Sequence, residues 1–167
     1  MHAGTDILAT VRNLEARDRE PLAAILRGTG VFSHDEVRVA LELIDAVLGD
    51  PGQTDYIIAT AVRQENEVVG YYCIGPTPMT AGTFDLYWIA VKPEAHNQGL
   101  GRLLLRHAEE TARASGGRLM VAETSSQPSY EPTRMFYLRN AYEEVARIRD
   151  YYRPGDDLVV YGKYLSL

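Results

Sequence analysis

The stretch from Trp88 to Arg102, Trp-Ile-Ala-Val-Lys-Pro-Glu-Ala-His-Asn-Gln-Gly-Leu-Gly-Arg, constrains the fold more than any other part of this chain. It starts as an apolar run that suits a buried strand, breaks at Pro93, and crosses a polar loop through Gln98. It then enters a helical pattern on Leu100, Leu103, Leu104, His107 and Ala108. A helix start leaves backbone N–H groups unpaired and carries the positive end of the helix dipole, and glycines at 99 and 101 let an anion approach the main chain. Two glycine-loop sites are excluded by spacing: Leu104 stands where a dinucleotide fingerprint needs its third glycine, and no Gly-Lys-Ser/Thr follows. A plainer reading stays open, in which the glycines serve a tight turn and close helix packing.

Around this unit the hydrophobic period alternates between extended and helical. Ile7 to Leu14 reads as a strand, and Asp18 with Pro21 starts a short helix through Leu22, Ile25 and Leu26 that Gly28 and Gly30 stop. Ser33 and Glu36 form a capping box for a second helix on Val37, Leu41, Ile44 and Leu48. Extended runs follow at Tyr56–Val62, Val68–Ile74 and Phe84–Val91, the first two joined by a short turn at Gln64–Glu67. After the helix from Gly99 to Ala114, a strand is predicted over Arg118–Thr124, a helix over Pro132–Asn140, and a last strand pair over Tyr142–Tyr151 and Leu158–Tyr164. The expectation is an α/β fold: one domain over residues 1–167, with a mixed, mostly antiparallel sheet of about seven strands and four flanking helices.

Composition narrows the function classes. The 167 residues are 46% hydrophobic and 24% charged, ordinary for a globular chain. A net charge of -6 opposes non-specific attraction to nucleic acid or anionic membranes and favours a cationic partner. No apolar run is long enough to span a bilayer and the first residues lack a signal-peptide pattern, so a cytoplasmic protein is expected. The single cysteine, Cys73, excludes an internal disulfide and reads as a small buried hydrophobe. His2 and His107 have no partner at metal-ligand spacing, and no metal is expected.

With these residues in view, the central stretch resembles the GCN5-related N-acetyltransferase (GNAT) family. There a strand ending in Ile-Ala-Val-x-Pro leads into Arg/Gln-x-x-Gly-x-Gly/Ala, as in Ile89–Pro93 and His96–Gly101 here. The resemblance implies an acyl-CoA N-acyltransferase fold that uses acetyl-CoA. Backbone N–H groups of Gln98, Gly99, Leu100, Gly101 and Arg102, with Asn97 in the same loop, would hold the pyrophosphate, and the backbone of Ile89, Ala90 and Val91 would pair with the pantetheine arm. His96 stands where the family usually has Arg or Gln. Downstream, Tyr130-Glu-Pro-Thr-Arg-Met-Phe-Tyr-Leu-Arg-Asn-Ala-Tyr142 is similar to Asn-x-x-Ala-x-x-Phe-Tyr-x-x-x-Gly-Phe. Phe136 and Tyr137 are identical to that pattern; Tyr130 replaces an Asn that touches the cofactor.

By this resemblance Tyr137 is the general acid toward the departing thiolate. A base must also free the amine lone pair. Asp85 and Glu123 are the candidates; Glu123 ranks first because an unpaired acid on an apolar strand is costly. By parity Asp85 is expected to share a face with Tyr87, Ile89 and Val91. His34, Tyr87 and Tyr152 are candidate acceptor contacts. The expected activity is acetyl transfer to a primary amine, small-molecule or peptide, by direct attack in a ternary complex. Two alternatives stand beside it: a non-catalytic acetyl-CoA sensor or scaffold, and transfer of a longer acyl group. The subunit count stays open, a homodimer included.

Overall fold

The computed structural model describes residues 9–165. The predicted first strand is observed as β1 (Thr10–Asn13); the part of that prediction around Ile7 lies outside the described residues. The remaining elements are α1 (Arg19–Gly28), α2 (His34–Gly49), β2 (Ile57–Val62), β3 (Val68–Pro76), β4 (Thr83–Val91), α3 (Leu100–Ala114), β5 (Leu119–Ser125), α4 (Glu131–Arg139), β6 (Glu143–Arg153) and β7 (Asp156–Tyr164). They form one seven-stranded sheet in the order β1-β2-β3-β4-β5-β7-β6. Every pairing is antiparallel except β4 with β5.

Helices cover the sheet on both faces, which explains why β3 is buried from Val68 to Gly75 rather than alternating in exposure. On one face, α3 and α4 set Leu100, Leu104, Leu105, Ala108 and Tyr137 against Phe84, Leu86, Met120 and Ala122. On the other, α1 and α2 set Leu22, Leu26, Val37, Ala40 and Ile44 against Ile58, Tyr71, Cys73 and Ala90. Cys73 is buried, and burial pushes its thiol up to about 12. Among the described residues no helix is long and apolar enough to cross a membrane.

Several expectations change in detail. Asp18 does not cap α1 with its side chain. Its carboxylate is buried and takes two bonds from Arg12, at 2.7 and 2.9 Å, and one from the Glu15 N–H at 2.8 Å. Burial alone would raise this carboxyl; the guanidinium and the amide outweigh it and hold it below its ordinary range. The Ser33–Glu36 capping box of α2 is formed as expected.

A bulge in β4 corrects the face assignment. Cys73 lies opposite Trp88 but Ile74 lies opposite Leu86, so Tyr87 is an extra residue and the parity inverts there. Asp85 and Tyr87 point away from the α3 face that holds Phe84 and Leu86, whereas beyond the bulge Ile89 and Val91 join that face. Asp85 therefore does not share a face with Ile89 and Val91.

Candidate active site

The parallel pairing of β4 and β5 is short. It runs through Thr83–Leu119, Phe84–Met120 and Asp85–Val121 and stops, although β4 continues to Val91 and β5 to Ser125. Past that rung the strands part and leave facing edges without sheet partners. Lys92 N–H bonds to the Val69 carbonyl on β3 at 2.8 Å. Backbone direction alternates along a strand, so Ile89 and Val91 turn their peptide groups toward the opening and Ala90 turns its own to β3. Of the three residues expected to meet a pantetheine arm, two thus face the gap through their main chain.

The gap leads to the start of α3. Asn97 and Gly99 both adopt positive φ, 60° and 80°, which turns the loop sharply into the helix. The first intrahelical bond runs from Leu103 to Gly99, so the N–H groups of Leu100, Gly101 and Arg102 have no acceptor within the helix. Gly101 also has a packing reason: a Cβ there would meet the Phe136 ring at 3.1 Å. The packing and anion readings of this glycine are compatible, since the same lack of a side chain brings α4 against the helix start.

The side chains around the loop are arranged differently from a simple phosphate clamp. His96 Nε2 donates to the Val91 carbonyl at 2.8 Å, tying the loop back to the end of β4. Gln98 accepts from Arg63, a residue on the turn after β2 that the sequence reading did not single out. A groove of about 300 Å³ between α3 and the end of α4 is lined by Arg102, Arg106, Arg139 and Lys163, with Glu109 among them. Its sequence signal was the Arg102/Arg106 spacing, two cations one turn apart in an acidic protein.

Tyr137 lies on the α3–α4 side of the sheet, 4% exposed, with its ring against Phe136, Tyr142 and Tyr161. Its hydroxyl has no hydrogen-bond partner among the described residues, and burial raises its pKa above the ordinary phenol value, so it keeps its proton. Asp85 and Glu123 occupy the other side. Asp85 is on the last paired rung, where Thr77 donates to it at 2.7 Å and Tyr87 lies 3.5 Å away. Burial and this carboxylate push Tyr87 up to about 12, and its ring meets Tyr56 edge-on. Glu123 is two residues beyond Val121, about 7 Å farther along the open edge. It is exposed and makes no hydrogen bond or ion pair among the described residues. Because Glu123 is exposed although Leu119 and Val121 share its side of the strand, the cost of an unpaired buried acid, which ranked Glu123 first, does not arise.

Tyr130 does not stand free beside the gap. Its hydroxyl donates to Glu36 Oε1 at 2.9 Å, joining the start of α4 to the first turn of α2. Tyr152, on β6, is half-exposed; burial and then Glu123 raise it to about 12, with Asp156 and Glu36 contributing. His34 is exposed at the first position of α2. Among the described residues no group of three or more His, Cys, Asp or Glu side chains could hold a metal ion.

Comparison with known proteins sets this geometry in context. A family profile described as the acetyltransferase (GNAT) family matches residues 11–142. A GNAT-family protein from Desulfovibrio desulfuricans has a crystal structure similar to this chain, with 38% identity, a TM-score of 0.88, and coverage of 95% of this chain and 99% of that one. Two more distant structures share the fold. The ribosomal-protein-S18-alanine N-acetyltransferase of Escherichia coli is 18% identical, with TM-score 0.74 and 95% of both chains covered. An aminoglycoside 6'-N-acetyltransferase complexed with coenzyme A is 16% identical, with TM-score 0.75 and 95% and 98% covered. A search of curated proteins gave no match.

Proposed function

The chain belongs to the GNAT family of acetyltransferases, and on that premise we propose that it transfers an acetyl group from acetyl-CoA to a primary amine by direct attack in a ternary complex. The observation that carries this reading is the gap between β4 and β5 beside a helix start with free N–H groups, with a buried, protonated phenol on one side of the sheet and an unpaired carboxylate on the other. The open strand edge and these free N–H groups fit acetyl-CoA, which supplies an activated acyl carbonyl when bound.

In this reading the N–H groups of Leu100, Gly101 and Arg102 hold the pyrophosphate, with the Asn97–Gly99 turn shaping the approach. Ile89 and Val91 offer strand-like pairing to the pantetheine arm. His96 supports this edge by tying the loop to Val91. Tyr130 contributes through its bond to Glu36.

An ammonium has no lone pair for attack, so the acceptor must lose a proton. Glu123 takes that proton, directly or through water, from the α1–α2 side; Asp85, already bonded to Thr77, is the second candidate. Tyr137 gives its proton to the departing sulfur from the opposite side. Separation of acid and base across the sheet lets the amine enter from one face while the thiol forms at the other. Tyr87, Tyr152 and His34 border the acceptor's approach. The wider reading is a monodomain enzyme of the cytoplasm that needs no metal.

The test is thiol release from acetyl-CoA with a panel of primary amines, with mass spectrometry of the acceptor. Amine-dependent thiol release and a 42 Da gain on nitrogen, the mass of an added acetyl group, support the proposal. Binding of acetyl-CoA without acetylation of any amine would instead support a sensor or scaffold.

A further inference from the structure

We propose that Glu36 is a specificity-determining residue which, with Tyr130 and Tyr152, recognises a second positive charge on the acceptor amine; the inference rests on the acetyl transfer proposed above. Capping of α2 requires little of this side chain. Oε2 accepts the Ser33 N–H at 2.7 Å and completes the capping box. The other oxygen reaches across to α4 and accepts the Tyr130 hydroxyl at 2.9 Å, from a residue 94 positions away. Helix stability does not call for that second bond.

Both donors are neutral, and no Arg, Lys or His pairs with Glu36 among the described residues, so its negative charge is held in place and uncompensated. A carboxylate accepts about four hydrogen bonds, which leaves capacity for an ammonium. Tyr130 donates its O–H in a hydrogen bond to Glu36, so its own oxygen lone pairs are free to accept.

Charge and aromatic surface continue from this pair toward the reaction centre. Tyr152 lies within the field of both Glu36 and Glu123, and Tyr130 within that of Tyr152. Asp156, which also acts on both phenols, is committed to Ser125 at 2.5 Å and lies 3.8 Å from Arg153. Glu36 and Glu123 are therefore two uncompensated carboxylates joined by phenols, contributed by α2, β5, β6 and the turn before α4. Phenol rings and carboxylates together suit a cation whose charge must be partly dehydrated. With Glu123 taking the proton of the reacting nitrogen, Glu36 is left to hold a second ammonium. A diamine and a peptide with a basic residue beside its reacting amine present the same chemistry.

The experiment compares KM for α,ω-diamines of three to eight carbons with KM for the n-alkylamines of equal length, by thiol release. Wild type is expected to prefer the diamine at least tenfold at one chain length. Glu36→Gln keeps the cap through its amide oxygen, can donate its amide N–H to the Tyr130 oxygen, and removes the charge, and is expected to erase most of that preference. Tyr130→Phe keeps the charge but frees the carboxylate, and is expected to reduce the preference about threefold. Thermal melting checks that both variants fold. Dipeptide amides with lysine at the second position form a parallel arm: a low KM in either arm meets the expectation, and the lower one names the source of the second charge. Equal KM for acceptors with and without the second charge in both arms, or an undiminished preference in Glu36→Gln, overturns the inference while leaving acetyl transfer intact. Absence of thiol release with every amine overturns both.

Discussion

The two halves of the proposed reaction centre are built from different material. The donor half is main chain: the Ile89 and Val91 edge of β4 and the first N–H groups of α3. The acceptor half is side chain: Glu36, Glu123, Tyr130 and Tyr152, each from a different element. Main-chain sites depend on φ, ψ and close approach, so many sequences can build them provided a few glycines are kept. Side-chain sites change with single substitutions and are where specificity is set.

Tyr137, proposed as the general acid, is the largest exception, a side chain in the donor half. Tyr137→Phe is expected to lower kcat by about 100-fold or more, the ordinary scale of general acid catalysis, while acetyl-CoA affinity stays within about threefold. Because burial holds this phenol above its ordinary pKa near 10, the proton is retained as pH rises, so wild-type kcat should show no alkaline fall between about pH 8 and pH 10. Steady-state kinetics of both proteins over that range checks this.

On the acceptor side, Glu123→Gln is expected to lower kcat/KM for amines by about 10- to 100-fold, and Asp85→Asn by less than about tenfold, since Asp85 is already held by Thr77. The reverse order in parallel assays would move the base to the last paired rung.

Gly101→Val probes the main-chain half. The new Cβ meets the Phe136 ring at 3.1 Å, so the helix start and α4 must separate. A stability loss of about 1–3 kcal/mol is expected, with acetyl-CoA affinity weakened about tenfold by calorimetry. The smallest effect is assigned to His96→Ala. Removing the bond to the Val91 carbonyl should change acetyl-CoA affinity about threefold, because the N–H groups at the helix start remain.

The same division explains what could be read from sequence. The order of strands and helices followed from period changes and punctuation, because each element satisfies its own backbone and buries its own stripe. Ser33 and Glu36 announced α2 through local spacing. The β4 bulge left no such mark: Thr83 to Val91 reads as an uninterrupted strand, and only the register against β3 shows that Tyr87 is extra. The Tyr130–Glu36 bond was equally hidden. Spacing shows what lies one turn or two residues away, not what lies 94 residues away. Tyr130 was legible as a departure from a family pattern, but its partner was visible only as a helix cap.

The most direct test of the account is a crystal structure with coenzyme A. The account predicts the pyrophosphate within hydrogen-bonding distance of the Leu100, Gly101 and Arg102 N–H groups, the pantetheine amides along Ile89 and Val91, and the sulfur beside the Tyr137 hydroxyl. Coenzyme A bound elsewhere, with the gap between β4 and β5 filled by side chains, would contradict it.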